Sequence, residues 1–331
     1  MKNKINFLRK GARYAFNAWR HGRDLKPVLV RTAQIRPSDV LLVCCLRNER
    51  KRMAFFCDYY RRLGVNHFLF IDNGSTDGFV DWARTQDDIS VWYTEASYKR
   101  SRFGMDWCNR LLSKYGSGHL CVTVDPDEFL VYPHMDSRNL HELGQHLKDT
   151  ERDSMCALML DAYSDRPLSE TVMADGEDPF TVCPYFDRDG YIQTQSHLLG
   201  IFVQGGPRMR MHNPDRPKAA PALNKIPVMW WKWYYSYRSS MHDAWPLKLN
   251  RPHNPGKVAV TACLFHFKFV ASLQEKAAEE MIRREHYAGG REYERYDAQD
   301  REILYEEGIS VRYESPAQLV KLGLMTPGEW F

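Results

Sequence analysis

Apolar segments alternate with amphipathic, charge-rich segments between residues 40 and 162. Apolar runs that predict strands occur at 40–46, 65–72, 89–95, 119–124 and 156–162. The intervening segments have apolar residues at helical spacing and predict helices that end at Gly64 and at about Thr85 and that cover 102–115 and 139–148. Repeated strand–helix units predict an α/β fold, with a mostly parallel, Rossmann-like sheet and helices on both faces.

The pattern is less regular in the second half of the chain. Residues 163–260 are rich in Pro, Gly and aromatic residues and have no clear period, whereas 261–270 again has strand character. Two charged amphipathic segments, 272–287 and 291–307, predict C-terminal helices. Because we find no repeat, low-complexity segment or flexible linker, we treat 37–331 as one compact unit with a sizeable core.

The first 36 residues form an arm that differs from the rest in charge. They contain ten Lys or Arg and one Asp, a net charge of +9, which leaves −5 for the remainder of a chain whose total is +4. Apolar residues recur in the arm at helical spacing, between basic residues, at Ile5, Leu8, Ala12, Ala15, Phe16 and Trp19. Such a helix can bind an anionic membrane surface through residues 1–30, or its apolar stripe can dock on the protein's own body. The sequence leaves both alternatives open.

The cysteines and the hydropathy pattern indicate the cellular compartment in which we expect the protein. The eight cysteines form no CxxC pair and several lie inside apolar runs, which is typical of buried thiols in a reducing compartment. No apolar run reaches the roughly 20 residues that span a bilayer, and the N-terminus has no signal-peptide core. We therefore expect a cytoplasmic protein, peripheral on the inner face of the membrane if the arm binds lipid, and no nucleic-acid partner.

Three polar segments follow predicted strand ends: CLRNE at 45–49, DNGSTD at 72–77 and DPDEF at 125–129. Ligands of parallel α/β sheets bind beyond the carboxyl ends of the strands, so these segments are expected to face one crevice. The carboxylates of Asp125 and Asp127 can reach one divalent cation together, and that cation can bridge the phosphates of a nucleotide. In isolation, such an acidic pair is more typical of a solvated turn.

In combination and in this order, four motifs resemble those of a known family: CLRNE, LGVNHFLFIDNGSTDG (63–78), WCNRLL (107–112) and VDPDEFLVYP (124–133). They are similar to bacterial glycosyltransferases of the family 2 type, particularly the branch whose aspartate motif reads D-x-D-E-F, and to the related family 92 enzymes. The resemblance covers about residues 40–165. It implies the glycosyltransferase A fold, a nucleotide-sugar donor and a divalent cation, Mn²⁺ or Mg²⁺. It also divides the chain into a nucleotide-sugar and metal half (37–165), an acceptor half (166–271) and C-terminal helices (272–331).

The resemblance implies donor-binding roles at the first two strand ends. Arg47, Asn48 and Glu49 follow the first strand, where the family binds the nucleoside. Asp72 resembles the acidic residue that hydrogen-bonds the base or the ribose. Arg102 precedes a predicted helix, and because basic side chains and helix N-termini both favour phosphate, we expect it to contact the diphosphate. The alternative for Arg102 is a solvated basic loop.

The predicted metal site comprises Asp125, Asp127 and His266. Asp125 is also a predicted donor-binding residue. His266 lies among apolar and aromatic residues late in the chain, where many enzymes of this fold supply a histidine to the metal. The alternative is a histidine of the core. Glu128 is either a third acidic contact or a residue that supports the ligands.

The general base is less clearly indicated. An inverting enzyme needs a carboxylate that takes the acceptor proton, and Asp161 and Asp165, just past the fifth predicted strand, are the candidates. The family's usual downstream acidic motif is not apparent, so the base and the stereochemistry stay open. Arg208, Arg210 and Lys225 are candidates for holding an anionic acceptor.

These expectations favour a metal-dependent glycosyltransferase that moves a sugar from a nucleotide-sugar donor to a hydroxyl of a surface glycan, either polysaccharide or lipid-linked. One alternative is a non-catalytic glycan-binding or membrane-associated scaffold with a transferase-like fold. Another is a metal-dependent phosphohydrolase. Phosphohydrolases of the haloacid dehalogenase type carry their Asp-x-Asp after the first strand, whereas here it follows the fourth predicted strand.

Overall fold

The computed structural model describes residues 2–330 except 197–199, 239, 252–257 and 272–302. Within these residues the protein is α/β, with a mixed sheet of nine strands, mostly parallel in its core, and helices. The chain divides into two compact units. The first comprises 1–126, 137–155 and 226–251, and the second comprises 127–136, 156–225 and 252–331. The boundary therefore falls inside DPDEF, between Pro126 and Asp127.

The α-helices of the described residues are α1 Lys2–His21, α2 Arg50–Arg62, α3 Phe79–Arg84, α4 Met105–Leu111, α5 Leu140–Asp149, α6 Pro179–Val182, α7 Gly206–Arg210 and α8 Pro316–Lys321. The strands are β1 Lys26–Leu29, β2 Val40–Leu46, β3 Val65–Asp72, β4 Ile89–Tyr93, β5 Leu120–Thr123, β6 Glu128–Val131, β7 Ser154–Asp161, β8 Tyr185–Asp187, β9 Ile192–Ser196, β10 Gly200–Gln204, β11 Asn224–Trp230, β12 Ser236–Tyr237, β13 Ala244–Trp245, β14 Ala262–His266 and β15 Ser310–Arg312.

The first unit contains sheet strands in the order β1-β4-β3-β2-β5-β11. β2 is parallel to both β3 and β5, and β3 is parallel to β4, as the strand–helix alternation predicts. β1 and β11 pair antiparallel with β4 and β5. Because Leu46 pairs with Asp72 and Asp72 pairs with Tyr93, the polar segments after β2 and β3 begin at the same edge of the sheet.

The predicted helix at 102–115 begins later than its apolar spacing indicates. Arg102, Phe103 and Gly104 have φ angles of 54°, 58° and 77°, left-handed values that are incompatible with a right-handed helix. α4 therefore begins at Met105, and Leu112–Gly116 continues it as a wider π-helical turn. Its apolar residues Met105, Cys108 and Leu111 are buried, as predicted.

The second unit is built around three strands of the large sheet. β14 is parallel to β7 and antiparallel to β6, and smaller pairs form between β9 and β10 and between β8 and β15. The irregular pattern of 163–260 did not predict β8 to β11. The predicted helix at 272–287 lies outside the described residues, and so does most of the one at 291–307, of which 303–307 is not helical.

The cysteines agree with the sequence pattern. All eight are free thiols, and six of them are buried. Burial raises the pKa of thiols such as Cys44, Cys57 and Cys121, so they stay protonated and unreactive. In the part of the chain that the structure describes, no helix is both long and apolar enough to cross a membrane.

Candidate functional site

Arg47 and Asn48, at the end of β2, hold the turn that follows β3. Nη1 of Arg47 donates to the carbonyl oxygens of Asn73 and Gly74 at 2.8 and 2.7 Å. Oδ1 of Asn48 accepts from the backbone N–H of Thr76 at 2.8 Å. The two side chains therefore fix the backbone of the DNGSTD segment at the edge of the sheet where ligands of this fold class bind.

Glu49 lies at the start of α2, where its carboxylate pairs with Nε of Arg52 at 2.8 Å. The exposed fractions of the two side chains are 11% and 6%, so this ion pair is largely buried. Asp77 also supports this helix, because its Oδ2 accepts from the backbone N–H of Arg50 at 2.7 Å. These contacts agree with a turn-shaping and helix-capping role for Asp77.

Asp72 has one carboxylate oxygen in use and one that is buried without a partner. Oδ1 accepts from the backbone N–H of Ser75 at 2.8 Å. Oδ2 has no hydrogen-bond partner among the described residues, although the side chain is fully buried. Burial raises the pKa of Asp72, and the hydrogen bonds from Ser75 oppose it. A buried acceptor without a partner is uncommon, and it suits a ligand that donates a hydrogen bond at the end of β3.

Arg102 is engaged inside the first unit. Its guanidinium forms an ion pair with Asp106 and lies over the ring of Tyr14, with 5.4 Å between Cζ and the ring centre. It also donates to the carbonyl oxygens of Tyr237 and Arg238. These contacts tie the start of α4 to the segment around β12. The expected contact with a diphosphate stays a prediction.

Asp125 follows β5 and is partly exposed. Burial raises the pKa of the thiols of Cys44, Cys45 and Cys108, and the negative charge of Asp125 adds to this effect. Cys44 and Cys45 belong to β2. The first aspartate of DPDEF therefore lies near the β2 strand, within the first unit.

Four side chains of the second unit form a continuous polar row. Nε2 of His266 lies 3.4 Å from Oδ2 of Asp127, and Nδ1 of His266 lies 2.8 Å from Oδ1 of Asp161. The other oxygen of Asp161 accepts from Nε of Arg208 at 2.7 Å. We call Asp127, His266, Asp161 and Arg208 the carboxylate–histidine row. It is open at one end, because the side chain of Asp127 is 20% exposed whereas that of Asp161 is fully buried.

Sheet register explains how these distant residues meet. His266 pairs with Asp161 where β14 runs parallel to β7, and it pairs with Glu128 where β14 runs antiparallel to β6. The backbone carbonyl of Asp127 accepts from the N–H of Phe267 at 2.8 Å, which fixes the aspartate motif to the end of β14. Three members of the row therefore lie on regular elements, β7, β14 and α7, and Asp127 lies in the turn directly before β6.

The charges of the row are strongly coupled. Burial alone would lower the pKa of His266, but Asp127 and Asp161 outweigh it and raise the pKa to about 9. Burial would raise the pKa of Asp161, but Arg208 and His266 hold it below its ordinary value. Without a bound cation, the imidazole is therefore protonated at neutral pH between two carboxylates. Asp165, by contrast, is exposed, and its Oδ1 accepts from Oγ of Ser164 at 3.4 Å.

The open end of the row has the donor chemistry for a divalent cation. Adjacent ligands of an octahedral ion with bonds of about 2.1 Å lie about 3.0 Å apart, close to the 3.4 Å between Asp127 and His266. The hydrogen bond of Nδ1 to Asp161 is the usual arrangement behind a metal-binding histidine. No group of three or more His, Cys, Asp or Glu within the described ranges could hold a metal ion on its own. The residues fit an ion that takes further ligands from substrate and water, as Mg²⁺ commonly does.

Glu128 lies next to Asp127 but forms a closed ion pair. Its Oε1 lies 2.7 Å from Nζ of Lys225, and the two side chains are 1% and 3% exposed. Arg210 likewise pairs with Asp187 at 3.0 Å and with Glu306 at 2.8 Å. Together with Arg208, all three cations that the sequence suggested for an anionic acceptor are therefore paired with carboxylates of the protein.

The sequence singled out Asp161 and His266 separately but did not predict their contact. Their hydrogen bond joins residues 105 positions apart and follows from the pairing of β7 with β14, for which there is no local signal. The pairing of Arg208 with Asp161 was missed for the same reason. No protein-family model matches the chain, and no curated protein matches it either. Its function must therefore be argued from its own residues.

Proposed function

We propose that this protein is a metal-dependent glycosyltransferase that transfers a sugar from a nucleotide-sugar donor to a hydroxyl of a polysaccharide or lipid-linked glycan. The observation that carries the proposal is the carboxylate–histidine row, because it places His266 beside the second aspartate of DPDEF. The order of the motifs in the first unit and the buried, unpartnered oxygen of Asp72 support it further. In this proposal the fold is of the glycosyltransferase A type.

Asp127 and His266 would hold the cation, Mn²⁺ or Mg²⁺, together with ligands from substrate and water. When bound, the cation supplies positive charge that stabilises a diphosphate leaving group. Asp161 accepts from Nδ1 of His266 and so directs Nε2 towards Asp127. Arg208 keeps Asp161 ionised by lowering its pKa together with His266.

On the donor side, Oδ2 of Asp72 is the acceptor for an N–H or O–H of the nucleoside. Arg47 and Asn48 support that contact indirectly, because they fix the turn that begins at Asp72. Arg102 and Glu49 are further candidates whose present contacts are within the protein.

Of the two candidate bases, Asp161 is better suited to positioning His266 than to proton transfer. Both of its oxygens are engaged and its pKa is lowered, so it is a weak proton acceptor. Asp165 is exposed and remains the candidate for the base. The eight free thiols favour a reducing compartment, and we include a cytoplasmic location in the proposal.

Calorimetry with UDP, GDP and CMP, each with and without Mn²⁺, tests this function. We expect one nucleotide to bind in a Mn²⁺-dependent manner, and Asp125→Ala and Asp127→Ala to lose that dependence. Asp165→Asn is the matched control, because it should retain nucleotide binding and lose sugar transfer. Full transfer activity in both alanine variants would overturn the proposal. Glycan binding without any nucleotide binding would select the scaffold, and release of phosphate would select the hydrolase.

A further inference from the structure

Helix α1 docks on the first unit through one face. Tyr14 accepts a hydrogen bond from Nε of Arg238 at 3.1 Å, and its ring lies 6.2 Å from that of Trp245. Ala18, one turn further, is 4% exposed, and Nε2 of His21 lies 3.9 Å from Oδ2 of Asp106 on α4. The helix is therefore held in a fixed orientation by its contacts with α4 and β13.

The apolar stripe of the arm lies on a different face of the same helix. Phe16 and Trp19 are 56% and 50% exposed, and Ala12 and Ala15 are exposed too. At 100° per residue, Ala12, Phe16 and Trp19 lie about 100° or more from both Tyr14 and Ala18, and Ala15 lies at the border of the two faces, about 60° from Ala18. The rings of Phe16 and Trp19 are 5.8 Å apart. The arm docks on the body, but the described residues of the stripe do not take part in the docking.

Exposed basic residues accompany this aromatic pair on α1 and in the segment that follows it. Cζ of Arg23 lies 5.5 Å from the centre of the Trp19 ring. The other exposed basic residues in the described part of the arm are Lys10, Arg13, Arg20, Lys26 and Arg36. Asp24 is the single acidic residue among the first 36. The exposed face of α1 therefore combines two large aromatic side chains with a dense positive charge.

We propose that the exposed face of α1 binds an anionic membrane surface. Phe16 and Trp19 enter the headgroup region, and Arg13, Arg20 and Arg23 contact lipid phosphates, as on interfacial amphipathic helices. Charge favours this occupant over a second copy of the chain, because two such basic faces would repel each other. The inference does not depend on the proposed chemistry, although it would place an enzyme for lipid-linked acceptors at its substrate.

Sedimentation with vesicles of phosphatidylcholine, with and without phosphatidylglycerol, tests this inference. We expect the full chain to bind only the vesicles with phosphatidylglycerol, and binding to weaken as salt rises. Phe16→Ser/Trp19→Ser should weaken binding about tenfold or more, since both side chains lose apolar contact with lipid. Replacing Arg13, Arg20 and Arg23 by Gln should weaken it on the order of a hundredfold, since each basic residue contributes about fivefold, or about 1 kcal/mol.

The matched control is Trp233→Ser/Tyr234→Ser, which removes another exposed aromatic pair of the first unit, with exposed fractions of 74% and 41%. This variant should bind vesicles as the parent does. Equal binding to neutral vesicles, or unchanged binding of the Phe16/Trp19 variant, would overturn the inference. So would a dimer in analytical ultracentrifugation that Phe16→Ser/Trp19→Ser dissociates. Mn²⁺-dependent nucleotide binding should be unaffected in all these variants, which separates this test from that of the proposed function.

Discussion

Asp127 and Glu128 are neighbours in the chain, yet their carboxylates lie in different surroundings. Asp127 is 20% exposed and faces His266, which belongs to a row that is open at one end. Glu128 is 1% exposed and faces Lys225, which is itself 3% exposed. Asp127 lies in the turn before β6, whereas Glu128 is the first residue of that strand, so the two adjacent carboxylates can serve different purposes.

The difference separates a residue that can bind a ligand from one that supports the fold. The carboxylate of a buried ion pair is already bound by a cation of the protein and is shielded from ions in solution. Its contribution to folding stability is seen mainly when one partner is removed. An open row can exchange its protein contacts for contacts with a bound ion. We therefore assign Glu128 and Lys225 to the support of the aspartate motif, and Asp127 and His266 to the ligand.

The largest expected effect is the loss of stability when the closed pair is broken. Lys225→Met removes the ammonium group that lies 2.7 Å from the buried carboxylate of Glu128, and we expect the free energy of unfolding to fall by about 3–5 kcal/mol. Urea denaturation followed by circular dichroism measures this change. The control is Lys225→Met/Glu128→Leu, in which both charges are removed and most of the stability should return. A single variant as stable as the parent would contradict the assignment.

The row should make the stability of the chelator-treated protein depend on pH. The pKa of His266 is raised to about 9 in the folded state from about 6.5 in the unfolded chain. The stabilisation is therefore complete below pH 6.5 and is lost as the pH rises through about 9, and it amounts to about 3 kcal/mol. Urea midpoints at pH 6, 7.5 and 9.5 measure it. His266→Gln should remove this slope, and an unchanged slope in that variant would assign the effect to another group.

The central strands could be predicted from the sequence to within a few residues. β2 and β3 have the predicted bounds, 40–46 and 65–72, because a strand that is buried along its length needs a continuous apolar run. The start of α4 could not be predicted in this way. Apolar spacing carries no information on the left-handed angles of Arg102 and Phe103, which delay the helix.

The candidate site was only partly predictable, for a related reason. The spacing of Asp125 and Asp127 is visible in one short segment, so both could be named as candidates from the sequence. The partners of Asp127 depend on how β14 pairs with β6 and β7, which joins residues more than 100 positions apart. β11, which carries Lys225, was missed because Pro227 and the surrounding aromatic residues obscure its strand pattern.

Asp161 should act on the cation through His266. Asp161→Asn keeps a hydrogen-bonding oxygen for Nδ1 but removes the negative charge, and we expect Mn²⁺ affinity to fall by about 10–100-fold. Titration calorimetry with Mn²⁺ and the nucleotide measures this change. Asp187→Asn is the matched control, because it also removes the carboxylate partner of an arginine, Arg210, in the same unit. Equal losses of affinity in the two variants would indicate a general structural effect.

The smallest expected change in stability is that of Asp127→Asn, compared with Glu128→Gln at the next position. Asp127 is partly exposed but helps to raise the pKa of His266, so its loss should lower the free energy of unfolding by about 1–2 kcal/mol while Mn²⁺-dependent nucleotide binding disappears. Glu128→Gln removes the negative charge 2.7 Å from Nζ of the buried Lys225, so it should lower the urea midpoint clearly and retain nucleotide binding in the folded protein. The reverse outcome, with binding lost only in Glu128→Gln, would make Glu128 the ligand. Asp127 would then be the supporting residue. We expect a side chain that binds a cation to contribute less to the free energy of unfolding than one that is always paired within the protein.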